Sequence, residues 1–347
     1  MKPSAKHSAR ASPSALALPN CILYTIFIEL RARVFLQKAT PARKLKKAHH
    51  MWTGVLPAVT SKFTSDGALD HAEMERCFQL QMDAGCDGII VCGSLGEGPM
   101  LSLEERIDVM HTARKIAGKR PVLMTVAAAS TQESCTLAKM AAKAGADGLM
   151  VVPSLVYHTN AVETVATLRA VAQAGDLPIM IYSNRLAYKV DITPDIMEEL
   201  AADARFVAIK ESSDDIRRTT EIFNRLGKRY TVLTGVDNLA FEALSVGAQG
   251  WVAGLVCAFP AETVAIYKLM QLGRREEALK IYSWFRPLLD LDVSSYLVQN
   301  IKLAEVLAIG SNDRVRMPRQ PLSGALRASV EKTIRDAMAT RPALPKL

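Results

Sequence analysis

The sequence predicts a (β/α)8 barrel followed by a C-terminal helical appendage, on three observations. Short apolar runs alternate with amphipathic stretches of helical spacing through eight consecutive pairs. A five-residue segment recurs as Ala84-Gly85-Cys86-Asp87-Gly88, Ala144-Gly145-Ala146-Asp147-Gly148 and Val246-Gly247-Ala248-Gln249-Gly250. Its first glycine suits the residue just past a helix, and its second the start of the next strand. The sixth apolar run then ends on a lysine, Lys210, at the strand end where such barrels place their chemistry. A doubly wound open sheet shares the alternation but gives no reason for eight consecutive units.

In order, the strand-like and helical runs are 54–60 with 70–84, 88–92 with 103–117, 122–126 with 131–144, and 149–152 with 161–174. The second half reads 179–182 with 194–202, 206–210 with 215–226, 231–233 with 239–246, and 251–253 with 261–272. The barrel is therefore expected over 51–273 and the appendage over 274–347. In the appendage, residues 274–292, 295–309 and 322–339 read as helices without intervening strands, and 310–321 as a charged, proline-containing loop.

Residues 1–50 stand apart. They carry ten Lys/Arg against one acid, Glu29, so 51–347 hold 33 Lys/Arg against 34 acids. The net charge of +8 thus belongs to the leader, and the near-neutral body is a poor nucleic-acid partner. The apolar run 22–28 is too short to span a bilayer, and no small-residue cleavage site follows it. An acid-poor leader with Arg and Ser is compatible with an organelle transit peptide. The preferred reading is a disordered or mis-assigned extension, with the native start at Met51. Six cysteines without CxxC spacing suit reduced thiols in a cytoplasmic compartment. No HxH or HExxH pattern offers a metal site, and neither metal nor organic cofactor is expected.

An amine held against apolar walls loses the solvation of its charged form, which lowers its pKa and lets it attack a carbonyl. Lys210 suits that role, or it snorkels out of a strand end. Tyr182, ending the fifth strand, suits a proton shuttle, or it caps the core with its hydroxyl in water. Gly93-Ser94-Leu95-Gly96-Glu97 after the second strand suits a carboxylate- or phosphate-binding nest, or an ordinary glycine turn. Gly235 and Val252-Ala253-Gly254 line the same rim, as close-packing glycines or as a phosphate cradle.

Together these motifs resemble the dihydrodipicolinate synthase / N-acetylneuraminate lyase family of class I aldolases over roughly residues 52–340. The opening 54–60 with Asp66-Gly67, the 93–97 signature, the tyrosine strand 177–182, the lysine strand 207–211 and Arg316-Met317-Pro318 carry the likeness in order. The resemblance implies Lys210 as the Schiff-base lysine and Tyr182 as the proton-handling residue. It implies Ser94 and Leu95 as the 2-oxo acid carboxylate site, and Gly235 and Val252 as borders of the substrate. It also implies a homo-oligomer, tetramer or dimer.

Three positions depart from the synthase pattern. The arginine five residues after the tyrosine is Ala187, with Arg185 two residues earlier in a strand-like run. The asparagine after the tyrosine is Ser183. The tyrosine pair of the fourth loop is Ser154-Leu155-Val156-Tyr157-His158, which leaves Tyr157 as a displaced candidate. With 153–159 and 210–215, these departures point to the dehydratase/deaminase branch, most similar to the 1-pyrroline-4-hydroxy-2-carboxylate deaminases of hydroxyproline breakdown. The rival expectations are pyruvate–aspartate semialdehyde condensation, a 2-keto-3-deoxy sugar-acid lyase or dehydratase, and a barrel that only binds a ligand.

Overall fold

The structure, a computed structural model, describes residues 51–347, and the expectations for the leader lie outside the described residues. Eight parallel strands form one sheet: β1 (Gly54–Pro57), β2 (Ile89–Val91), β3 (Val122–Val126), β4 (Gly148–Val151), β5 (Ile179–Ser183), β6 (Phe206–Glu211), β7 (Thr231–Thr234) and β8 (Gly250–Ala253). Each strand pairs with its sequence neighbour, and β1 pairs with β8. The ring closes between β1 and β2 through the bridge Ala58–Ile90, with Val59 N–H donating to Ile90 O at 3.0 Å. This is the expected (β/α)8 barrel.

Helices follow the strands: α1 (His71–Asp83), α2 (Leu103–Ala117), α3 (Thr131–Lys143), α4 (Ala161–Gly175), a single turn α5 (Arg185–Tyr188), α6 (Pro194–Leu200), α7 (Arg217–Leu226), α8 (Ala240–Ser245) and α9 (Pro260–Gln271). Side chains fix several starts. Ser102–Glu105 and Asn160–Glu163 form reciprocal capping boxes, and Asp70 and Ser130 cap α1 and α3. Apart from α5, every helix lies where the periodicity predicts it, within two residues. Among the described residues, no helix is long and apolar enough to cross a membrane.

The recurring five-residue segment has a physical explanation. Gly85, Gly145 and Gly247 all have positive φ (95°, 85° and 106°) just past a helix end. The polar residue before the second glycine reaches back to the preceding strand: Asp87 accepts from Val55 N at 2.9 Å, Asp147 from Val122 N at 2.8 Å, and Gln249 from Val232 N at 2.9 Å. Three strand starts that would otherwise hold a bare amide are satisfied this way. The repeat is a fastening at the N-terminal face of the barrel.

Pairing of β5 with β6 shifts register between Ile179 and Met180, which face Phe206 and Ala208. Val207 is thereby an extra residue, and both Val207 and Ala208 join the barrel interior. Strict alternation from an outward Phe206 would turn Lys210 outward. The bulge changes the parity, so Lys210 aligns with inward Tyr182 and faces the lumen.

The appendage comprises α10 (Arg275–Leu289), α11 (Leu297–Ile309) and α12 (Gly324–Ala339). From α11, Lys302 and Glu305 reach fully buried partners in the loops after β1 and β2. Lys302 Nζ lies 2.5 Å from Glu97 Oε1, and Lys62 Nζ lies 2.6 Å from Glu305 Oε2. Thr60 Oγ donates to Glu305, Lys302 also donates to Arg314 O at 2.6 Å, and Arg316 N–H donates to the second Glu97 oxygen at 3.0 Å. These extra bonds offset the desolvation of each charge, which the Coulomb attraction alone does not cover. Lys62→Met strands Glu305 with a hydroxyl as its remaining partner. The expected loss is about 3–5 kcal/mol, read from the denaturant midpoint, with much of it recovered in Lys62→Met/Glu305→Leu.

Candidate active site

Lys210 is 7% exposed and opens into a cavity of about 590 Å³ at the C-terminal mouth of the barrel. Among the described residues it makes no ion pair and no hydrogen bond; its Nζ sits 4.2 Å from the centre of the Tyr182 ring. Burial pulls the amine below the ordinary lysine range. The charges of Asp292 and Asp237, and the Tyr188 phenol, pull it back only in part because none is in contact. The snorkelling alternative does not describe this side chain.

Gly235 makes room for it. A Cβ at this position would lie 2.4 Å from Lys210 Cε and 2.3 Å from Ser212 Oγ. The Gly235 amide already donates to Glu211 O at 2.8 Å, and the Gly254 and Leu255 amides donate to Asp237. This rim is therefore close-packed and offers no phosphate cradle. Val252 borders the cavity as expected.

The loop after β2 behaves differently. Gly96 and Gly98 are forced by close approach, since Cβ atoms there would meet Val59 O at 2.8 Å and Cys92 O at 2.0 Å. Their packing leaves the Ser94 and Leu95 amides without an acceptor among the described residues, and both residues line the cavity. Two free N–H groups at a cavity wall suit a carboxylate. Ser212 adds to the same wall a buried hydroxyl without a hydrogen-bond partner among the described residues.

The segment after β5 is where sequence reasoning fell short. It is not strand-like: Asn184 Oδ1 accepts from Ala187 N at 2.9 Å and starts α5. Asn184 Nδ2 also donates to Tyr182 Oη at 3.3 Å, so one side chain caps the turn and holds the phenol. The turn brings Tyr188 edge-on to Tyr182 (centroids 5.4 Å apart, 84° between planes), with its hydroxyl 2.7 Å from Ser94 Oγ. A capping asparagine before four residues without Gly or Pro was the signal that could have found it.

The remaining candidates fall elsewhere. Tyr157 is 56% exposed on the loop after β4 and does not line the cavity. Ser183 is buried with its hydroxyl unpartnered, but outside the lining. Arg185 turns away, donating to Ser213 O at 3.0 Å and lying 4.0 Å from Asp191. Ala187 does line the cavity, and Lys210 is its one lining cation among the described residues.

A barrel with an enclosed, unpaired amine at the end of its sixth strand, facing two free amides across a cavity, defines a narrow class. The chain belongs to the dihydrodipicolinate synthetase family, whose pattern matches residues 51–337. It is 31% identical over 288 residues to the 4-hydroxy-tetrahydrodipicolinate synthase of Prochlorococcus marinus, covering 82% of this chain and 95% of that one. The enzyme of the same name from Pelobacter propionicus is 28% identical over 284 residues, covering 81% and 97%. The dihydrodipicolinate synthase structure from Aquifex aeolicus superposes with a TM-score of 0.78 at 27% identity, covering 85% of this chain and all of that one. YagE of Escherichia coli K12, solved with pyruvate, gives 0.78 at 25% identity, covering 83% and 99%.

The neutral fraction of a buried amine grows earlier as pH rises. Reductive methylation of Lys210, followed on its peptide, is therefore expected to reach its plateau at lower pH than that of exposed lysines. In Gly235→Ala the displaced side chain should lose this advantage.

Proposed function

We propose that this protein is a lysine Schiff-base enzyme acting on a 2-oxo acid or its cyclic imine, and specifically a 1-pyrroline-4-hydroxy-2-carboxylate deaminase. The observation that carries the reading is Lys210: an unpaired amine, its pKa lowered by burial, beside a phenol and across a cavity from two free amides. The Ser94 and Leu95 amides hold the substrate carboxylate. Lys210 adds to C2, and expulsion of the ring nitrogen opens the ring to a lysine iminium. The iminium acidifies C3, with Tyr182 receiving and returning protons at that carbon. Water leaves across C3–C4, and a proton then passes from C5 to C3 so that the double bond moves to C4–C5. The enamine so formed takes a proton at C4 to become an iminium at C5, and hydrolysis at C5 and at C2 releases ammonia and 2,5-dioxopentanoate. Tyr188 orients Ser94 and buffers Tyr182, a place the sequence suggested for Tyr157.

The relatives' name supplies the competing reading, condensation of pyruvate with aspartate semialdehyde. That reaction brings a second carboxylate, for which the synthase pattern supplies an arginine. Here Ala187 stands at that position, Arg185 is engaged with Ser213 and Asp191, and the cavity carries the acidic Asp214. Lack of a charge-assisted contact costs about 1.5–3 kcal/mol, or roughly ten- to a hundredfold in specificity.

Side-by-side kcat/KM measurements are expected to give ammonia release from 1-pyrroline-4-hydroxy-2-carboxylate and negligible condensation; the reverse order overturns the deaminase assignment. Borohydride reduction in the presence of substrate or pyruvate is expected to label Lys210, and labelling of another lysine overturns its role. Tyr182→Phe is expected to lower kcat roughly 10²- to 10⁴-fold with the melting temperature nearly unchanged.

A further inference from the structure

We propose that Asp292 is a further catalytic residue: the acid that protonates the departing hydroxyl while Lys210 holds the other end of the substrate. The inference rests on the dehydrating deaminase reading above.

Asp292 comes from a 3-10 turn, Asp290–Val293, between α10 and α11, and it lines the same cavity as Lys210. Its Oδ1 lies 2.3 Å from where a Cβ on Gly254 would stand, so the carboxyl occupies the space over the end of β8 that the glycine leaves open. Around the rim, Lys210 on β6 thus has a phenol to one side, from β5, and this carboxyl beyond β7 on the other.

The turn is built to present it. Asp290 is engaged by Asn238 Nδ2 at 2.7 Å and Arg286 Nε at 3.0 Å. Asn300 Nδ2 donates to Leu291 O and to Ser294 Oγ, both at 3.0 Å. The residues on either side of Asp292 are pinned, whereas its carboxyl has no hydrogen-bond partner among the described residues. Half-buried at the cavity wall, the carboxyl is left free to meet a ligand. Its buried neighbour Asp237 differs in this respect, accepting from Trp251 Nε1 at 2.8 Å and from the Gly254 and Leu255 amides. Desolvation and the adjacent Asp237 charge push the Asp292 carboxyl well above the usual range, with Lys210 opposing, which favours the protonated form that the step requires.

In the step assigned to it, the C4–O bond breaks as the electron pair of the Lys210-bound enamine forms C3=C4. The proton on Asp292 passes to the leaving oxygen, which departs as water. The carboxylate left behind regains a proton from water in the cavity.

The test separates this step from Schiff-base formation. Pyruvate has methyl protons to exchange and nothing to eliminate. Wild type and Asp292→Asn are expected to form the borohydride-trapped Lys210 adduct alike and to exchange pyruvate protons in D2O within about twofold, which also shows that the variant folds. Ammonia release from 1-pyrroline-4-hydroxy-2-carboxylate is expected to fall roughly 10²- to 10³-fold. The trapped adduct in the variant is expected to be one water heavier than the eliminated form. Unchanged ammonia release in Asp292→Asn overturns the inference, as does an equal loss of pyruvate exchange, the mark of a structural role. If the wild type leaves the hydroxypyrroline acid untouched, both proteins are compared on a 3-deoxy-4-hydroxy-2-oxo acid. Elimination lost only in the variant upholds Asp292 while overturning the deaminase reading. Elimination equal in both proteins, or absent from both, overturns the inference.

Discussion

An amine enclosed by a barrel without a contacting counter-ion is the constraint from which the rest of this site follows. Were a carboxylate placed against Lys210, the ion pair would hold the amine protonated and chemically quiet. The carboxylates of Asp237 and Asp292 stand near enough to be felt and outside ion-pair contact, so burial dominates. Asp237 is further occupied by the Trp251 indole and two amides. The face of Tyr182 takes the place that a counter-ion would otherwise fill.

Holding that arrangement requires the C-terminal helices. The loops that present Ser94 and Leu95 and that follow β1 are fastened to α11 by Glu97–Lys302 and Lys62–Glu305, both fully buried. Buried pairs add little net stability over an apolar filling, but they are costly to break and fix a single geometry. Glu97 itself sits at positive φ (52°), a backbone state that the pair helps to secure. Asp292 and its clamp Asn300 come from the same region. The appendage is thus a wall of the cavity and a brace for it.

The two ends of the barrel are built on opposite principles. At the N-terminal face, the recurring Asp87, Asp147 and Gln249 side chains are each spent on an amide of the neighbouring strand. At the C-terminal face, the Ser94 and Leu95 amides, the Ser212 hydroxyl and the Lys210 amine are left without hydrogen-bond partners among the described residues. Unspent polar groups are tolerable there because they open into a cavity at the barrel mouth, where water or a polar ligand has access to them.

The sequence by itself determined the barrel, because eight apolar runs at helix-separated intervals have few other ways to be buried, and capping side chains mark several of the helix starts. It also determined Lys210, Tyr182, Ser94, Leu95, Gly235 and Val252 as a set, since each lies at or just past a strand end, where a barrel gathers its side chains. Three things were decided only in the tertiary structure. The inward aim of Lys210 depends on a bulge at Val207, which alternation in one strand cannot reveal because it is a property of the pairing with β5. The phenol that packs against Tyr182 is that of Tyr188, since a four-residue turn capped by Asn184 brings it there. Asp292 and Lys302 lie far along the chain from every residue they meet at the site, and packing of α10 and α11 onto the barrel mouth, not any local pattern, brings them there.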